Sequence, residues 1–391
     1  MKSRINILFI TLIVLSVCSC SPQGDGAVSI VEINGNKMFV ASLNGLSPNV
    51  VTIPLSSLVE SMELVQLETT DDAFFRHWFT TITENYIGVR QPEWRPFLLF
   101  SRSGRFLGSS SVGQGLGEHS WTLYDDVFDE ENGFIYLAPF AHSDRILVLD
   151  TSGAFIREIT TPMRLNKPRL FVYGDVLSIV HKSFSEDSPM AFQIDINTGQ
   201  LLSELATPAH FVVQSFCGEI FHTRNVEGVF DFFYTSYTGV DTLFHFDLEN
   251  NRIVPFFTMT SATGIWTSYF QVNRDLIMTH VNVRDEHGIY INRGIVATDL
   301  RNLTSSYVNV VNDFFGNLPV TPSAVTFRNG YFVHNVQPED LMYEIENHLA
   351  RGSVSQSDRQ QLEELLSKLE EDTNNVVFIG RLRDGIDGKL W

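Results

Sequence analysis

Polar side chains follow short apolar strands at a recurrent spacing, and their types could support ligand or metal binding. Six segments begin with a turn residue and continue as a short apolar run of strand character. Four residues after the first core residue of each segment lie Gln91, Pro139, His181, Arg224, His280 and Asn335. This even offset keeps the side chains on one face of the strand. His334 takes the place of Asn335 if the last segment is shifted by one residue.

If these strands surround a channel, the polar residues meet at one of its ends, and three interpretations stay open. Strand ends are polar for backbone hydrogen-bonding reasons alone. A small-ligand or anion site would use Arg224 as a forked donor, assisted by His181 and His280. A divalent metal would use the same two histidines, although no third ligand has a matching spacing. We predict a ligand site at the channel mouth formed by Gln91, His181, Arg224, His280, His334 and Asn335, with no assigned catalytic residue, cofactor or metal.

Two other polar motifs are interpreted as structural. The run Gly113-Gln-Gly-Leu-Gly-Glu118 precedes no helix, so a phosphate there would lack a helix N-terminus. Gly113, Gly115, Gly117 and Glu118 are therefore expected to form a structural loop. The acidic stretch from Asp125 and Asp126 to Glu131 lacks the spacing of a calcium loop, and we interpret it as a solvated turn.

Aspartates and tryptophans each allow a functional and a structural interpretation. Asp150, Asp195, Asp247 and Asp299 each end a strand before a tight turn, where a carboxylate can accept turn amides, so they are predicted to form turns. Trp94, Trp121 and Trp266 would suit a carbohydrate platform if exposed, and packing between sheets if buried.

The elements that carry these residues repeat along the chain. The turn-plus-strand pattern begins at Asn85, Gly133, Gly174, Gly218, Arg274 and Asn329, a loose period of about 50 residues. In the first five repeats a strand, a turn and another strand follow. Four short strands in each of six units predict an all-β, six-bladed β-propeller, with the six aligned strands innermost.

The C-terminal part of the chain has a different pattern of apolar residues. Helical periodicity within residues 338–373 predicts a two-helix insertion in the last blade, which either packs on the propeller or binds a partner. Residues 376–382 return to strand character and are predicted to close blade six together with a strand near Glu63–Glu68. The propeller is thus assigned to residues 50–391.

The N-terminus predicts export. Residues 1–19 combine a basic start with a short apolar run, which is typical of a signal peptide. Their end resembles a bacterial lipobox, and the resemblance implies lipidation of Cys20; residues 20–49 are assigned as a tether and N-terminal segment. Cleavage removes Lys2 and Arg4 but no acidic residue, so the formal charge changes from −19 to −21. That acidity argues against nucleic acid as a partner and against membrane binding other than through the anchor.

The stretches at residues 112–118, 133–138 and 144–156 together resemble an NHL-type repeat. With Val65-Gln-Leu-Glu-Thr69 and Gly113–Glu118, where Leu116 replaces the usual proline, the chain over residues 50–391 resembles the six-bladed propeller lipoproteins of Bacteroidetes. It implies a lipid-anchored protein of the outer membrane, facing either the periplasm or the surface. Some NHL-type propellers are lyases with a channel metal, but their ligand set has no assignable counterpart here.

Taken together, these features predict a cell-envelope propeller that binds a small molecule, a glycan or an envelope protein. A hydrolase or lyase at the channel mouth and an assembly partner of an outer-membrane complex remain as alternatives. Metal analysis of the purified protein tests the metal-dependent form of the first alternative. Deletion of residues 338–372 tests the second, because it should abolish co-purification with a partner without unfolding the propeller.

Overall fold

The computed structural model describes residues 28–110, 122–213, 216, 218–235, 241–284, 290–351, 354–386 and 390–391. Within these ranges the chain forms six sheets whose blade strands pair antiparallel, which confirms the predicted six-bladed propeller. Cys20, Trp121, Cys217 and the predicted loop Gly113–Glu118 lie outside the described residues. Among the described residues, no helix is long and apolar enough to cross a membrane.

The first half of the chain contributes an N-terminal segment and three blades. The N-terminal strands are β1 (Ser29–Ile33), β2 (Asn36–Ser42), β3 (Val50–Pro54) and β4 (Glu63–Gln66). Blade one contains β5 (Phe79–Ile82), β6 (Tyr86–Arg90), β7 (Leu98–Ser101) and β8 (Phe106–Ser109). Blade two contains β9 (Leu123–Asp129), β10 (Phe134–Pro139), β11 (Ala141–Asp150) and β12 (Phe155–Asn166). Blade three contains β13 (Arg169–Tyr173), β14 (Val176–Val180), β15 (Ala191–Asp195) and β16 (Leu201–Leu205).

The second half contributes the other three blades and two helices. Blade four contains β17 (Ile220–Phe221), β18 (Phe230–Tyr234), β19 (Leu243–Asp247) and β20 (Arg252–Thr260). Blade five contains β21 (Ile265–Asn273), β22 (Leu276–Arg284), β23 (Tyr290–Asp299), β24 (Thr304–Asn312) and β25 (Leu318–Val320). Blade six contains β26 (Phe327–Arg328), β27 (Tyr331–Val336), β28 (Val376–Arg381) and β4. The helices α1 (Pro338–Ala350) and α2 (Gln356–Leu366) lie between β27 and β28.

The first strand of each blade is the innermost, which corrects the alignment of inner strands made from the sequence. Side chains of β9, β13 and β26 meet in one ion cluster although the strands belong to three different sheets. The aligned core residues lie on the second strand in five blades, and only Ile220 lies on a first strand. Second strands are buried on both faces and follow a hairpin turn, so they carry the clearest apolar signal. The inner strands are shorter or more polar, as the two-residue β26 shows.

The N-terminal segment runs along the outside of three successive blades. Strand β2 pairs in parallel with β20 of blade four, and β3 pairs in parallel with β24 of blade five. Strand β4 then pairs with β28, which itself pairs with β27, so both ends of the chain complete blade six. This is the closure predicted from the sequence. It leaves few unpaired sheet edges.

The helical hairpin packs on the propeller. Leu341 and Ile345 of α1 and Leu362 of α2 are fully buried in one apolar cluster with Ile53 of β3 and Phe378 of blade six. Burial of these side chains contributes favourably to folding, at about 1.5–3 kcal/mol for each. The hairpin is therefore part of the core of the fold.

The aspartates at the third-strand ends form turns, as predicted. Asp195 Oδ1 accepts hydrogen bonds from the backbone N–H of Asn197 at 3.0 Å and of Thr198 at 2.7 Å. Asp150 and Asp299 accept turn amides in the same way. Their carboxylates are therefore engaged in local structure.

Candidate functional site

Seven buried charged or imidazole side chains converge near the propeller axis, and we call them the axial cluster. They come from blades one, two, three, four and six, and they are Arg90, Asp125, Asp126, Arg169, His222, Arg224 and Arg328. Each of these side chains is at most 4% exposed. The interpretation of Asp125 and Asp126 as a solvated turn is therefore wrong, because both lie within β9 and are buried.

Asp125 is the centre of the axial cluster. Its Oδ1 lies 2.7 Å from Arg328 Nη2 and 3.5 Å from Arg169 Nη1, with Nη2 of Arg90 and of Arg224 each at 3.8 Å. Its Oδ2 accepts the backbone N–H of Leu170 at 2.8 Å and lies 3.5 Å from His222 Nε2. One carboxylate thus compensates parts of four guanidinium charges.

The arginines also connect neighbouring blades through backbone carbonyls. Arg169 of blade three donates to the carbonyl of Ile220 in blade four at 2.6 Å and to that of Tyr124 in blade two at 2.9 Å. Arg224 of blade four donates to the carbonyls of Leu170 at 3.3 Å and Asp126 at 2.9 Å. Because inner strands of adjacent blades share no ladder, these bonds link the blades across the axis.

Burial and mutual charge shape the protonation states within the cluster. Burial alone would raise the pKa of Asp125, but the surrounding cations outweigh it and hold the pKa well below its usual range. Burial, joined by repulsion from the arginines, keeps the pKa of His222 well below its usual value, so His222 is neutral at pH 7. Burial likewise lowers the pKa of Arg90 and of Arg224 to about 10, and both remain protonated.

An aromatic pocket lies on the face of the propeller where each blade's first strand begins and its second strand ends; we call this the upper face. The upper pocket has a volume of about 410 Å³. Its lining residues are Trp94, Thr122, Pro139, Phe140, Ala141, His142 and Phe216. Trp94 is 59% exposed. A concave site of this volume is of the size that small ligands occupy.

The rings of the upper pocket pack against one another and above a buried cation. The Phe216 ring centroid lies 5.6 Å from that of Phe140 and 5.6 Å from that of His142. Phe184 stacks on Phe216 from another side at 5.5 Å. The Lys167 ammonium lies 5.3 Å from the Phe140 centroid and 5.6 Å from that of Phe216, within the range of a cation–π contact. The ring positions are thus set by packing.

Tyr124 connects the upper pocket with the axial cluster. Its ring lies edge-on to Phe140 at 5.4 Å, and the Arg169 guanidinium lies 4.0 Å from its centroid. Its hydroxyl donates to Glu219, which also pairs with Lys167. Burial raises the pKa of Tyr124 above its usual value, so the hydroxyl remains a donor at neutral pH.

Several backbone positions at this site have left-handed conformations that are uncommon for side-chain-bearing residues. Glu93, His142, Lys167 and Arg224 have φ of 64°, 58°, 49° and 55°. Residues other than glycine and asparagine rarely adopt such values, and their cost is tolerated where the surrounding structure enforces them. These four positions lie in or beside the upper pocket and the axial cluster.

The structure separates most of the residues that were predicted to share a channel mouth. Arg224 lies in the axial cluster. Gln91 accepts the backbone N–H of Arg76 at 3.1 Å and donates to the Pro96 carbonyl at 2.9 Å. Asn335 donates to Thr80 Oγ1 at 2.8 Å and accepts from Asn375 at 2.7 Å. These two amides fix local structure in blades one and six.

The three histidines of that prediction lie in three different surroundings. His181 contacts the Pro189 carbonyl through Nε2 at 2.8 Å, and burial lowers its pKa to about 4. His334 stacks on Phe378 with ring centroids 5.7 Å apart. His280 lines a cavity of about 200 Å³ together with Ser268, Asn282 and Ser323. Within the described residues, no group of three or more His, Cys, Asp or Glu side chains is arranged to hold a metal ion.

A larger cavity of about 600 Å³ opens on the opposite face between blades three and four, and we call it the lower groove. Its walls include Tyr173, Leu202 and Leu248. Two of its polar side chains already have partners in the protein: Gln193 donates to the Leu248 carbonyl at 3.0 Å, and His245 Nε2 lies 2.9 Å from Gln271 Oε1.

Sequence reasoning identified only Arg224 of the axial cluster, because the other six residues lie at different positions relative to their strands and share no common spacing. Asp125 and Asp126 lie inside β9, and Arg169 and Arg328 lie on inner strands that the aligned pattern did not include. The available signal was a charged residue within an otherwise apolar strand. Such residues are seldom buried unless they are paired.

Solved structures share the fold at low sequence identity. A protein of Bacteroides fragilis that is predicted to be exported matches with a TM-score of 0.54 and 12% identity, covering 86% of this chain and all of its own. A member of the duf4221 family from Bacteroides vulgatus matches with a TM-score of 0.44 and 10% identity, covering 83% of this chain and 97% of its own. Virginiamycin B lyase from Staphylococcus aureus has a TM-score of 0.39 and 12% identity, with coverage of 59% and 74%. At these identities the likeness concerns the fold alone.

A comparison with curated proteins gives no match. The model of the family described as "Domain of unknown function (DUF4934)" matches residues 40–381. That range runs from β2 of the N-terminal segment to the last residue of β28, and so includes all six blades. This chain belongs to the DUF4934 family.

Proposed function

We propose that this protein is an exported, lipid-anchored propeller of the cell envelope that binds a saccharide in the upper pocket. The observation that carries the proposal is the pocket itself, in which exposed and tightly packed aromatic rings surround a concave space of about 410 Å³. It is a binding module, because the polar groups around it suit recognition and no catalytic group is assigned.

The chemistry of the lining favours a ring with one apolar face and several hydroxyls. The aliphatic face of a sugar packs on an aromatic ring such as Trp94, and its hydroxyls then need donors and acceptors at the edge. Within the described residues, neither the Trp94 indole N–H nor the His142 imidazole has a hydrogen-bond partner in the protein. Both are polar tips on aromatic bodies, the combination that suits a contact with one dry and one wet side.

The backbone of the pocket supports the same interpretation. His142 lines the pocket with φ of 58°, and Glu93, with φ of 64°, directly precedes Trp94. Residues held in sparsely populated conformations cluster at ligand-binding sites, where side-chain placement outweighs the conformational cost. The lower groove has no such residue among those that line it.

The location is part of the proposal. Its support is the basic and apolar start of the chain with Cys20 at its end, together with the fold likeness to a protein predicted to be exported. Replacing Cys20 by Ser should move the protein from the membrane fraction to the soluble fraction. A Cys20→Ser variant that stays in the membrane fraction contradicts lipidation of this residue.

Binding measurements on variants test the saccharide site. Wild-type protein is titrated calorimetrically with a panel of oligosaccharides, and the best ligand is then used with Trp94→Ala. We expect affinity to fall at least about fivefold, since truncation of a central aromatic contact costs more than about 1 kcal/mol and each 1.4 kcal/mol is a factor of ten.

The matched control is Tyr173→Ala, which removes an aromatic ring that is 68% exposed in the lower groove. It should bind like the wild type. Loss of binding in Tyr173→Ala with retention in Trp94→Ala would place the site in the lower groove. Failure of the whole panel to bind would overturn the saccharide assignment.

A further inference from the structure

The axial cluster carries more positive than negative charge. Its four guanidiniums face the carboxylates of Asp125 and Asp126, and Asp231 is the next buried carboxylate, accepting the backbone N–H of Arg224 at 2.7 Å. His222 is neutral at pH 7, so it adds no charge. Four positive and three negative charges leave one positive charge uncompensated. An uncompensated buried charge costs several kcal/mol.

Three of the guanidiniums also hold donors without an acceptor. Within the described residues, Arg90 Nη2, Arg224 Nε and Arg328 Nε have no hydrogen-bond partner and almost no contact with solvent. The large majority of buried donors in native proteins have a partner, so three orphan donors in one cluster need an explanation.

These donors belong to side chains that converge on one small volume. Arg90 Nη2 and Arg224 Nη2 each lie 3.8 Å from Asp125 Oδ1, and Arg328 Nη2 lies 2.7 Å from the same atom. The Phe79 ring covers the Arg90 guanidinium at 4.5 Å and that of Arg328 at 5.9 Å. The site therefore combines excess positive charge, N–H groups without a hydrogen-bond acceptor and an apolar wall, beside one carboxylate oxygen without a donor, Asp126 Oδ2.

We propose that the axial cluster binds one small monovalent anion of the size of chloride, held by the guanidiniums of Arg90, Arg224 and Arg328. One negative charge balances the cluster, and a spherical acceptor takes N–H donors from several directions. The three arginine side chains are at most 4% exposed, which favours a small ion over a bulky oxyanion. A water molecule accepts a hydrogen bond but leaves the charge imbalance in place. The site is distinct from the upper pocket and does not depend on the saccharide proposal.

Bromide makes the site directly visible. Crystals of the wild-type protein grown with sodium bromide are measured at the bromine absorption edge. The expected result is an anomalous peak within hydrogen-bonding distance of the three guanidiniums. Absence of a peak at the cluster, when other bromide sites in the same crystal are occupied, overturns the proposal.

Thermal stability gives a second readout in solution. Tm is compared in sodium chloride and in sodium gluconate at equal ionic strength. Chloride should raise Tm relative to gluconate, by an amount that grows with the logarithm of its concentration once the site is saturated. Equal Tm values in the two salts, or stabilisation by sulfate without stabilisation by chloride, contradict the proposal.

A variant connects both readouts to the cluster. Arg328→Gln removes one cation and should abolish both the bromide peak and the chloride-specific rise in Tm. The matched control is Arg252→Gln, which removes a half-exposed arginine paired with Asp247 and should keep both. If Arg328→Gln does not fold, the wild-type bromide peak decides alone. A full chloride response in folded Arg328→Gln rejects the assigned site.

Discussion

Replacing Asp125 by Asn tests how strongly the axial cluster holds the blades together. Asn keeps the shape of the side chain but removes the negative charge that faces four buried guanidiniums. Removal of one partner from a buried ion pair costs about 3–5 kcal/mol, because the remaining charge stays buried without compensation. A domain of this length unfolds with an entropy of roughly 0.7 kcal/mol per kelvin, so the loss corresponds to a fall in Tm of about 4–7 °C.

The assay is urea unfolding at pH 7 followed by circular dichroism, with thermal melts alongside. Asp247→Asn is the matched control, because Asp247 pairs with Arg252 at an exposed turn, where such a pair contributes about 1 kcal/mol or less. Combining Asp125→Asn with Arg328→Gln should cost less than the sum of the single variants, since each removes the other's partner. An Asp125→Asn variant whose free energy of unfolding lies within about 0.5 kcal/mol of the wild-type value would show that the Asp125 charge does not hold the blades together.

The ion pairs of Asp125 also predict how the stability of the protein changes with pH. The pKa of Asp125 is lower in the folded state than in the unfolded chain, where it lies near 3.9. Its contribution to stability is therefore complete above the unfolded pKa and is lost as the pH falls through the folded pKa. Below about pH 4 the wild type should lose stability more steeply with falling pH than Asp125→Asn does.

Three further predictions concern the hairpin, a close backbone approach and a buried histidine. Leu341→Ala should lower the free energy of unfolding in urea by about 2–5 kcal/mol, because Leu341 is fully buried under blade six. Tyr343→Ala, on the exposed side of α1, should change it by less than about 0.5 kcal/mol. Equal effects of the two substitutions would contradict the packed hairpin. Gly104→Ala should lower Tm more than Gly133→Ala does. Both glycines have positive φ, but only at Gly104 would a Cβ lie 2.2 Å from the backbone carbonyl oxygen of Gln66. Equal melting temperatures of the two variants would exclude this close approach. Burial lowers the pKa of His181 to about 4 in the folded protein, whereas it lies near 6.5 in the unfolded chain. As the pH drops from about 6.5 towards 4, the unfolded chain therefore takes up a proton that the folded protein does not, and stability falls. His181→Gln should flatten this part of the stability curve, and an unchanged slope would show that His181 is solvated.

The sequence predicted the architecture because the propeller repeats its strongest signal. Turn residues followed by apolar runs mark the second strand of every blade but the fourth, and the return to strand at residues 376–382 marks closure with the strand that contains Glu63–Gln66. Hydrogen bonds between residues close in sequence could also be predicted. Asp150 and Asp195 accept amides from residues within four positions along the chain.

The candidate site was harder to predict because its contacts join residues that are distant in sequence. Arg328 and Asp125 are separated by 203 positions, and their pairing depends on how the inner strands of blades two and six face each other. The upper pocket likewise combines loops of blades one, two and four. An alignment that started one strand too late placed His181 and Arg224 in equivalent positions, whereas His181 follows the second strand of blade three and Arg224 follows the first strand of blade four.

The most direct test of the account is a crystal structure of the protein with the saccharide that binds best in the calorimetric panel. We expect sugar density in the upper pocket, with the apolar face of a ring against Trp94 and a hydroxyl within hydrogen-bonding distance of the His142 imidazole. Density in the lower groove beside Tyr173 and Leu248, with the upper pocket unchanged, would contradict it.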